Sequence, residues 1–306
     1  MSLSKTPLTK LTPMLKQFQD VKKAHPDKLI LFRMGDFYET FFEDAHTASR
    51  ILNITLTSRD KKNENAVPLA GFPYHALDNY LDKLIKAGLK VAICEQTEDP
   101  KQAKGLVKRA VVEIITPGTV LDHSLIEGSA NNFLSAIYYE NAKQKIGLAS
   151  LDLSTGEFSF TELRSDDLAH ELMRLNPKEI IVDGINSESF VKALDLENKP
   201  TVTIFDSWLF KPSEASNTLK EHFGVHSLEA FDAHGRTLGA TAAGAALAYV
   251  QSLYQVPLGH ITTLSYYSLE NYMQLDEISR RNLELTKSIR YGDRSGSLMA
   301  IIDQTQ

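Results

Sequence analysis

The sequence predicts two consecutive α/β domains followed by the start of an all-α segment. Three observations predict this. Between residues 29 and 120, short apolar runs alternate with amphipathic stretches. From residue 131, three strand-like runs follow one another closely, and helix-like and strand-like runs then alternate to about residue 227. From Leu228 the pattern turns helical. A chain of 306 residues can hold two or three separate cores, and 42% hydrophobic with 24% charged residues is an ordinary soluble composition.

In the first domain, Thr12 and Pro13 predict the cap and first residue of a helix striped by Met14, Leu15, Phe18 and Val21, and His25-Pro26 closes it. Leu29 to Phe32 reads as a buried strand. Gly35 and Asp36 break it, after which Phe37, Phe41, Ala45, Ala48 and Leu52 recur at helical spacing. Asp36 is then the expected N-cap, with Glu39 three residues on as in a capping box. This places Phe37 and Glu39 in the first turn of a helix at a strand-to-helix corner. The local pattern there suits a core aromatic and a cap, and such a corner can also present side chains outward. Residues 54–71 read as a strand, a polar loop carrying Arg59, Lys61 and Lys62, and a return toward Gly71. Leu77 to Gly88 is an amphipathic helix ended by its glycine. Residues 89–96 (LKVAICEQ) form a buried strand, so Cys94 is a core residue rather than a nucleophile. As the single cysteine it forms no disulfide within the chain, which suits a reducing cytosol. Lys101, Lys104, Lys108 and Arg109 precede a β-branched strand, and the domain is expected to end near Val120.

Residues 121–130 read as a linker. NFLSAIYYE, KIGLASLDLS and GEFSFTEL predict three adjacent strands, the last two joined by a tight turn at Ser154-Thr155-Gly156. DLAHELMRL, EIIVD, SESFVKAL and TVTIF then predict helix, strand, helix and strand. Three strands followed by this alternation suggest a ribonuclease-H-like sheet over 131–227. Residues 228–306 are expected to be helical: Arg236 to Gln255 is rich in Ala and Gly, and Tyr272, Leu275, Ile278, Leu283 and Leu285 fall near helical spacing. Residues 237–269 carry no charged side chain, yet they include Pro257 and no continuous strongly apolar run, so a buried helix and loop is expected rather than a membrane span. The lysines at the N-terminus are followed by no apolar stretch of the kind a secretory signal needs.

The net charge of −6 argues against wholesale nucleic-acid binding, but it is uneven. Residues 1–120 hold 18 Lys and Arg against 14 Asp and Glu, a balance of +4, while the remainder holds 15 against 25, a balance of −10. A mildly basic first domain fits local contact with phosphates. A rival chemistry is a metal-dependent nuclease of ribonuclease-H type, in which Asp152 and Glu157 would hold the metal. No third acidic partner has a recognisable position, and the bland reading is a hairpin flank and a solvent-facing strand residue.

The stretch GDFYE after an apolar strand resembles the Phe-x-Glu element of the bacterial MutS family of mismatch-recognition proteins. AGFPYHA from Ala70, CEQTEDP from Cys94, TPGT from Thr116, NLEL from Asn282 and GSL near Gly296 are similar to further family stretches, in the same order and across almost the whole chain. The resemblance implies a mismatch-recognition domain (1–120), a connector without nuclease activity (131–227) and the start of a helical core or lever (228–306). It implies that Phe37 enters from the minor groove and stacks on a mispaired base, and that Glu39 hydrogen-bonds that base, accepting when ionised or donating when protonated. Inserting a flat apolar side chain costs a few kcal/mol of unstacking, less where pairing is already weak. Met34, Arg59, Lys61, Lys104, Lys108 and Arg109 would lie along the DNA backbone, the basic ones supplying sequence-blind affinity. Family members use ATP and magnesium, encircle DNA as homodimers and meet downstream repair proteins, so a protein-docking scaffold is a further reading. No G-x-x-x-x-G-K-[ST] motif occurs in the 306 residues. The expectation is therefore an N-terminal fragment that is not itself an enzyme, holds no cofactor and binds mismatched double-stranded DNA weakly, in the cytoplasm and near the nucleoid.

Overall fold

The computed structural model describes residues 12–58, 66–98, 105–121, 131–139, 145–194, 196, 198–254, 258–271, 273, 275 and 277–303. The chain divides into two compact units, residues 1–132 with 250–258, and residues 133–249 with 259–306.

The first unit is built on a six-stranded sheet ordered β3-β4-β2-β1-β5-β6, from β1 (Leu29–Met34), β2 (Phe37–Phe41), β3 (Thr57–Ser58), β4 (Pro68–Pro73), β5 (Val91–Gln96) and β6 (Arg109–Ile115). β1 and β5 run parallel at its centre and the other neighbours are antiparallel. Both faces are covered, which is why the β1 run LILF is continuously apolar rather than alternating. On one face Leu29, Leu31, Tyr38, Phe72, Val91 and Ile93 meet residues of two helices, α2 (Phe42–Leu52) and α3 (Leu77–Lys86). On the other, Ile30, Phe32, Phe41, Ala92 and Cys94 meet Met14, Leu15 and Phe18 of α1 (Pro13–Ala24). Asp44 of α2 ties the layers together. Its carboxylate accepts from the buried Ile30 N–H at 3.1 Å and from Lys22 Nζ of α1 at 2.8 Å. Burial raises the Asp44 pKa, against the opposing pull of the Lys22 ammonium.

The predicted helix start at Asp36 is not what forms. Gly35 and Asp36 are a two-residue turn, Met34 pairs with Phe37, and β2 runs antiparallel to β1 before α2 begins at Phe42. Gly35 has φ +58, the left-handed geometry that the first position of a type II′ hairpin turn requires. Asp36 is therefore a turn residue, not an N-cap, and Glu39 pairs across the ladder with Phe32 and Gly71 instead of closing a capping box. The periodicity misled for a geometric reason. Residues four apart share a face in a helix and also in a strand, so Phe37 and Phe41 satisfy both patterns. From Ala45 onward the helical spacing is real, and Ala45, Ala48 and Leu52 are buried.

The second unit carries a sheet ordered β11-β10-β7-β8-β9-β12, formed by β7 (Phe133–Tyr139), β8 (Lys145–Asp152), β9 (Phe158–Arg164), β10 (Glu179–Val182), β11 (Thr201–Ile204) and β12 (Ser265–Tyr266). The expected three-strand antiparallel meander is present. β10 and β11 extend it in parallel from the β7 edge, reached through α4 (Leu168–Leu175) and α5 (Ile185–Ala193). β12 adds a parallel strand beside β9, from a stretch read as loop. After α6 (Pro212–Phe223), the long helix α7 (Thr237–Leu253) lies against this sheet. Its Leu238 N–H donates to Glu162 of β9 at 2.8 Å, and its Tyr249 hydroxyl donates to the buried Glu179 of β10 at 2.7 Å. Ala242, Ala243, Ala245 and Ala246 are fully buried there, the close packing that small side chains permit. Beyond it the described residues form β12 and two short helices, α8 (Glu277–Asn282) and α9 (Leu298–Ile302), rather than a sustained helical layer. Ile278 and Leu283, expected to stripe such a layer, are 62% and 56% exposed. Tyr272 lies outside the described residues. Among the described residues no helix is long and apolar enough to cross a membrane.

Candidate nucleic-acid interface

β2 leaves the turn at Phe37, and strand alternation puts Phe37, Glu39 and Phe41 on the α1 side of the sheet and Tyr38 on the other. Exposure falls along that row from the hairpin tip inward: Phe37 is 45% exposed, Glu39 is half-buried and Phe41 is 1% exposed against the Phe18 ring. Gly71 stands opposite Glu39, where a Cβ would come 2.8 Å from the Tyr38 carbonyl oxygen and 3.2 Å from the Glu39 Cγ, so glycine lets β4 pass close beside β2 here. The hairpin thus offers an exposed aromatic at its tip with a carboxylate one step behind it on the same face.

The turn is held from beneath. Arg33 Nε donates to the Gly35 carbonyl at 2.5 Å, and its guanidinium lies over the Tyr74 ring at 3.9 Å. The Tyr74 N–H donates to the Asp36 carbonyl at 2.9 Å. Glu95 of β5 sits 3.7 Å from Arg33 Nη1 and accepts from the Tyr38 hydroxyl. Burial first, then the Glu95 carboxylate, push the Tyr38 phenol up to about 12, so it remains a donor at neutral pH.

Other predicted residues fall in different places. Met34 packs against the α1-side core. Lys108 is exposed, with its Nζ 3.1 Å from Glu98. Arg109 is engaged within the unit: Nε donates to the Arg33 carbonyl at 2.6 Å, Nη1 donates to the Val107 carbonyl at 2.9 Å, and the guanidinium lies 5.1 Å from the Phe32 ring centre. Burial lowers its pKa, opposed by Cys94 and by the Glu39 carboxylate, so Arg109 also balances charge behind the tip. Arg59, Lys61 and Lys104 lie outside the described residues, as do Lys62 and Lys101.

Asp152 ends β8 fully buried, and its Oδ1 accepts from the Ser154 N–H at 2.8 Å, the Ser154 hydroxyl at 2.7 Å and the Thr155 N–H at 3.4 Å. These bonds build the tight turn into β9. Among the described residues no group of three or more His, Cys, Asp or Glu could hold a metal ion. The nuclease reading therefore finds no metal site around Asp152, and Glu157 is exposed beside the turn.

The sequence carries no local signal for Arg33, Tyr74 and Glu95. Tyr74 and Glu95 fall within AGFPYHA and CEQTEDP, but nothing in linear order says that these stretches meet at the turn. The hairpin itself had a signal, since Gly-Asp between two strand-like runs is a two-residue turn pair.

The chain matches the family model for MutS domain I over residues 12–124 and that for MutS domain II over residues 132–262. It is 44% identical over 302 residues to the DNA mismatch repair protein MutS of Symbiobacterium thermophilum, covering 97% of this chain and 34% of that protein. It is 46% identical over 301 residues to the MutS protein of Methanothrix thermoacetophila, covering 97% and 33%. With that of Salinibacter ruber it shares 42% over 309 residues, covering 100% and 34%. The chain spans about a third of the length of the curated relatives it matches.

Proposed function

Because the chain belongs to the MutS family, we propose that it binds mismatched double-stranded DNA in mismatch repair, with Phe37 as the wedge and Glu39 as the base-contacting group. The observation that carries this reading is the exposure of Phe37 at a hairpin tip, while Phe32 and Phe41 on the paired strands are buried. An exposed aromatic face carries no hydrogen bond tied to one base, so it tests how easily a base step opens rather than which bases are present. A mispair has lost part of its pairing, and insertion there costs less. Glu39 adds discrimination of another kind. A carboxylate is repelled by DNA unless a base edge offers it a hydrogen bond, and in a perfect duplex those edges are occupied by pairing. Lys108, with Arg59, Lys61 and Lys104, would supply phosphate contacts that hold the duplex without reading it. Arg109, engaged behind the tip, would act mainly through the charge it sets against Glu39.

The second unit, in this reading, is the ribonuclease-H-like connector with α7 laid on its sheet, so the helical core opens beyond α7 rather than at residue 228. ATP and magnesium would act through parts of the relatives outside the matched third. So would most of the homodimer contact, and downstream repair partners would meet the connector. The chain would then work in the cytoplasm, near the nucleoid. Fluorescence anisotropy with a labelled G·T duplex and its perfectly paired counterpart, at one fixed salt concentration, tests the proposal. Tighter binding to the G·T duplex is expected. Equal affinity overturns the recognition role and leaves a docking scaffold.

A further inference from the structure

Resting on the reading that Phe37 meets the mispair, we propose that Arg33 is a positioning residue whose guanidinium locks the Gly35–Asp36 turn and so sets where Phe37 emerges. A two-residue hairpin leaves the carbonyls of its turn residues outside the strand ladder, where ordinarily only water would satisfy them. Here both are taken by groups of the protein. Arg33 Nε donates to the Gly35 carbonyl, and the Tyr74 N–H donates to the Asp36 carbonyl. The same guanidinium that holds Gly35 lies over the Tyr74 ring, its Cζ 3.9 Å from the ring centre, so the two clamping groups hold each other. Glu95, 3.7 Å from Nη1 and bonded by the Tyr38 hydroxyl, faces the far edge of the guanidinium from a third strand. The Arg33 side chain is only 19% exposed and its charge is already faced by a carboxylate, so a sequence-blind phosphate contact is a poor account of it.

This arrangement answers a need of the wedge. A half-exposed phenylalanine on a hairpin tip has few neighbours to orient it, and recognition weakens when the inserting group must first be ordered. Only a planar, multi-donor cation can donate to a carbonyl, stack on a ring and face a carboxylate at once. A lysine keeps the charge and a donor but lacks the planar fork that meets all three at once.

The test has one arm without DNA and one with it. Amide hydrogen exchange at Asp36, Phe37 and Tyr74 is followed in the unmodified chain, Arg33→Gln, Arg33→Lys, Tyr74→Ala and Tyr74→Phe. Affinities for G·T and perfect duplexes are then measured on the same proteins. Exchange at the turn is expected to speed by roughly tenfold or more in both Arg33 variants and in Tyr74→Ala. The G·T preference should fall in those three, with affinity for perfect duplex little changed, and Tyr74→Phe should recover both. Unaltered exchange in Arg33→Gln overturns the clamp. So does recovery of the preference by Arg33→Lys, which would make Arg33 a simple charge. If the unmodified chain shows no G·T preference, the recognition reading fails while the exchange arm still decides whether Arg33 holds the turn.

Discussion

Removing the Phe37 ring separates a recognition group from a core group more cleanly than any other single change. Phe37 and Phe41 lie on the same face of the same strand, so they differ in burial rather than in secondary structure. Phe37 is 45% exposed and Phe41 1%. An aromatic side chain offers about 150–250 Å². Covering slightly more than half of it is worth at most about 2–3 kcal/mol at roughly 25 cal/mol per Å². Alanine keeps the Cβ share of that area, so the loss for Phe37→Ala should be about 1–2 kcal/mol by the same coefficient. Phe41→Ala empties a site packed against Phe18, and its expected cost is about 3–5 kcal/mol. Binding should rank the two oppositely. Stacking of a base on an aromatic ring is worth about 1–3 kcal/mol, so Phe37→Ala should shrink the ratio of mismatched to perfect affinity by roughly 5-fold to 150-fold. The assay pairs urea unfolding of both variants with duplex anisotropy at one salt concentration. A Phe37→Ala loss as large as that of Phe41→Ala, or an unchanged affinity ratio, would refute the reasoning.

Glu39→Gln should raise affinity for perfect duplex more than for mismatched duplex, because it removes a repelled charge while keeping a hydrogen-bonding end. An equal change on both duplexes would mean that the carboxylate does not discriminate. Asp44→Ala leaves the buried Ile30 N–H without its acceptor and Lys22 without its ion pair, and should destabilise the first unit by about 2–4 kcal/mol. Hydrogen exchange at β1 amides reads this directly, and protection there unchanged from the parent would sink it. Burial alone would raise the Asp27 carboxyl, but Lys28 at 2.9 Å and Lys90 at 3.1 Å outweigh it and bring its pKa from 3.8 down to about 2. A depressed carboxylate pKa means that its stabilising share is whole above the ordinary value and is lost as pH falls through the folded value. Asp27→Asn should therefore flatten the stability profile between those two values, seen as unfolding midpoints of parent and variant that converge toward acid. Parallel profiles would show that the two lysines do nothing for folding.

The errors in the sequence reading have particular causes. Five of the six strands of the second unit's sheet and the meander turn at Ser154-Thr155-Gly156 are legible in the sequence because each strand is a short apolar run bounded by turn residues. β12 was not visible, since a two-residue strand has no periodicity to detect and exists only because β9 offers it an edge. A carboxylate at the end of a strand suits both a ligand and a hairpin flank, and the bonds from Ser154 and Thr155 to Asp152 Oδ1 give it the second role. At GDFYETFF, the spacing of Phe37 and Phe41 was compatible with two structures, and the Gly35 turn was the local feature that chose between them.

What the sequence by itself determined is the set of elements whose information is local: two α/β units, buried β1 and β5, and the helices α1, α3 and α7. Phe37 and Glu39 are marked only by the resemblance of GDFYE to a family element, since their local pattern suits a core aromatic and a cap. Apolar period, caps and turn residues act within a few residues of one another, so they survive in linear order. Only the tertiary structure decided that the pair sits on a hairpin rather than a helix, and that Arg33, Tyr74 and Glu95 converge beneath it. Those three come from β1, the segment after β4, and β5. They meet because a parallel β1–β5 pair and an antiparallel β1–β2–β4 run lay distant stretches side by side, and a contact between strands leaves no period in either strand.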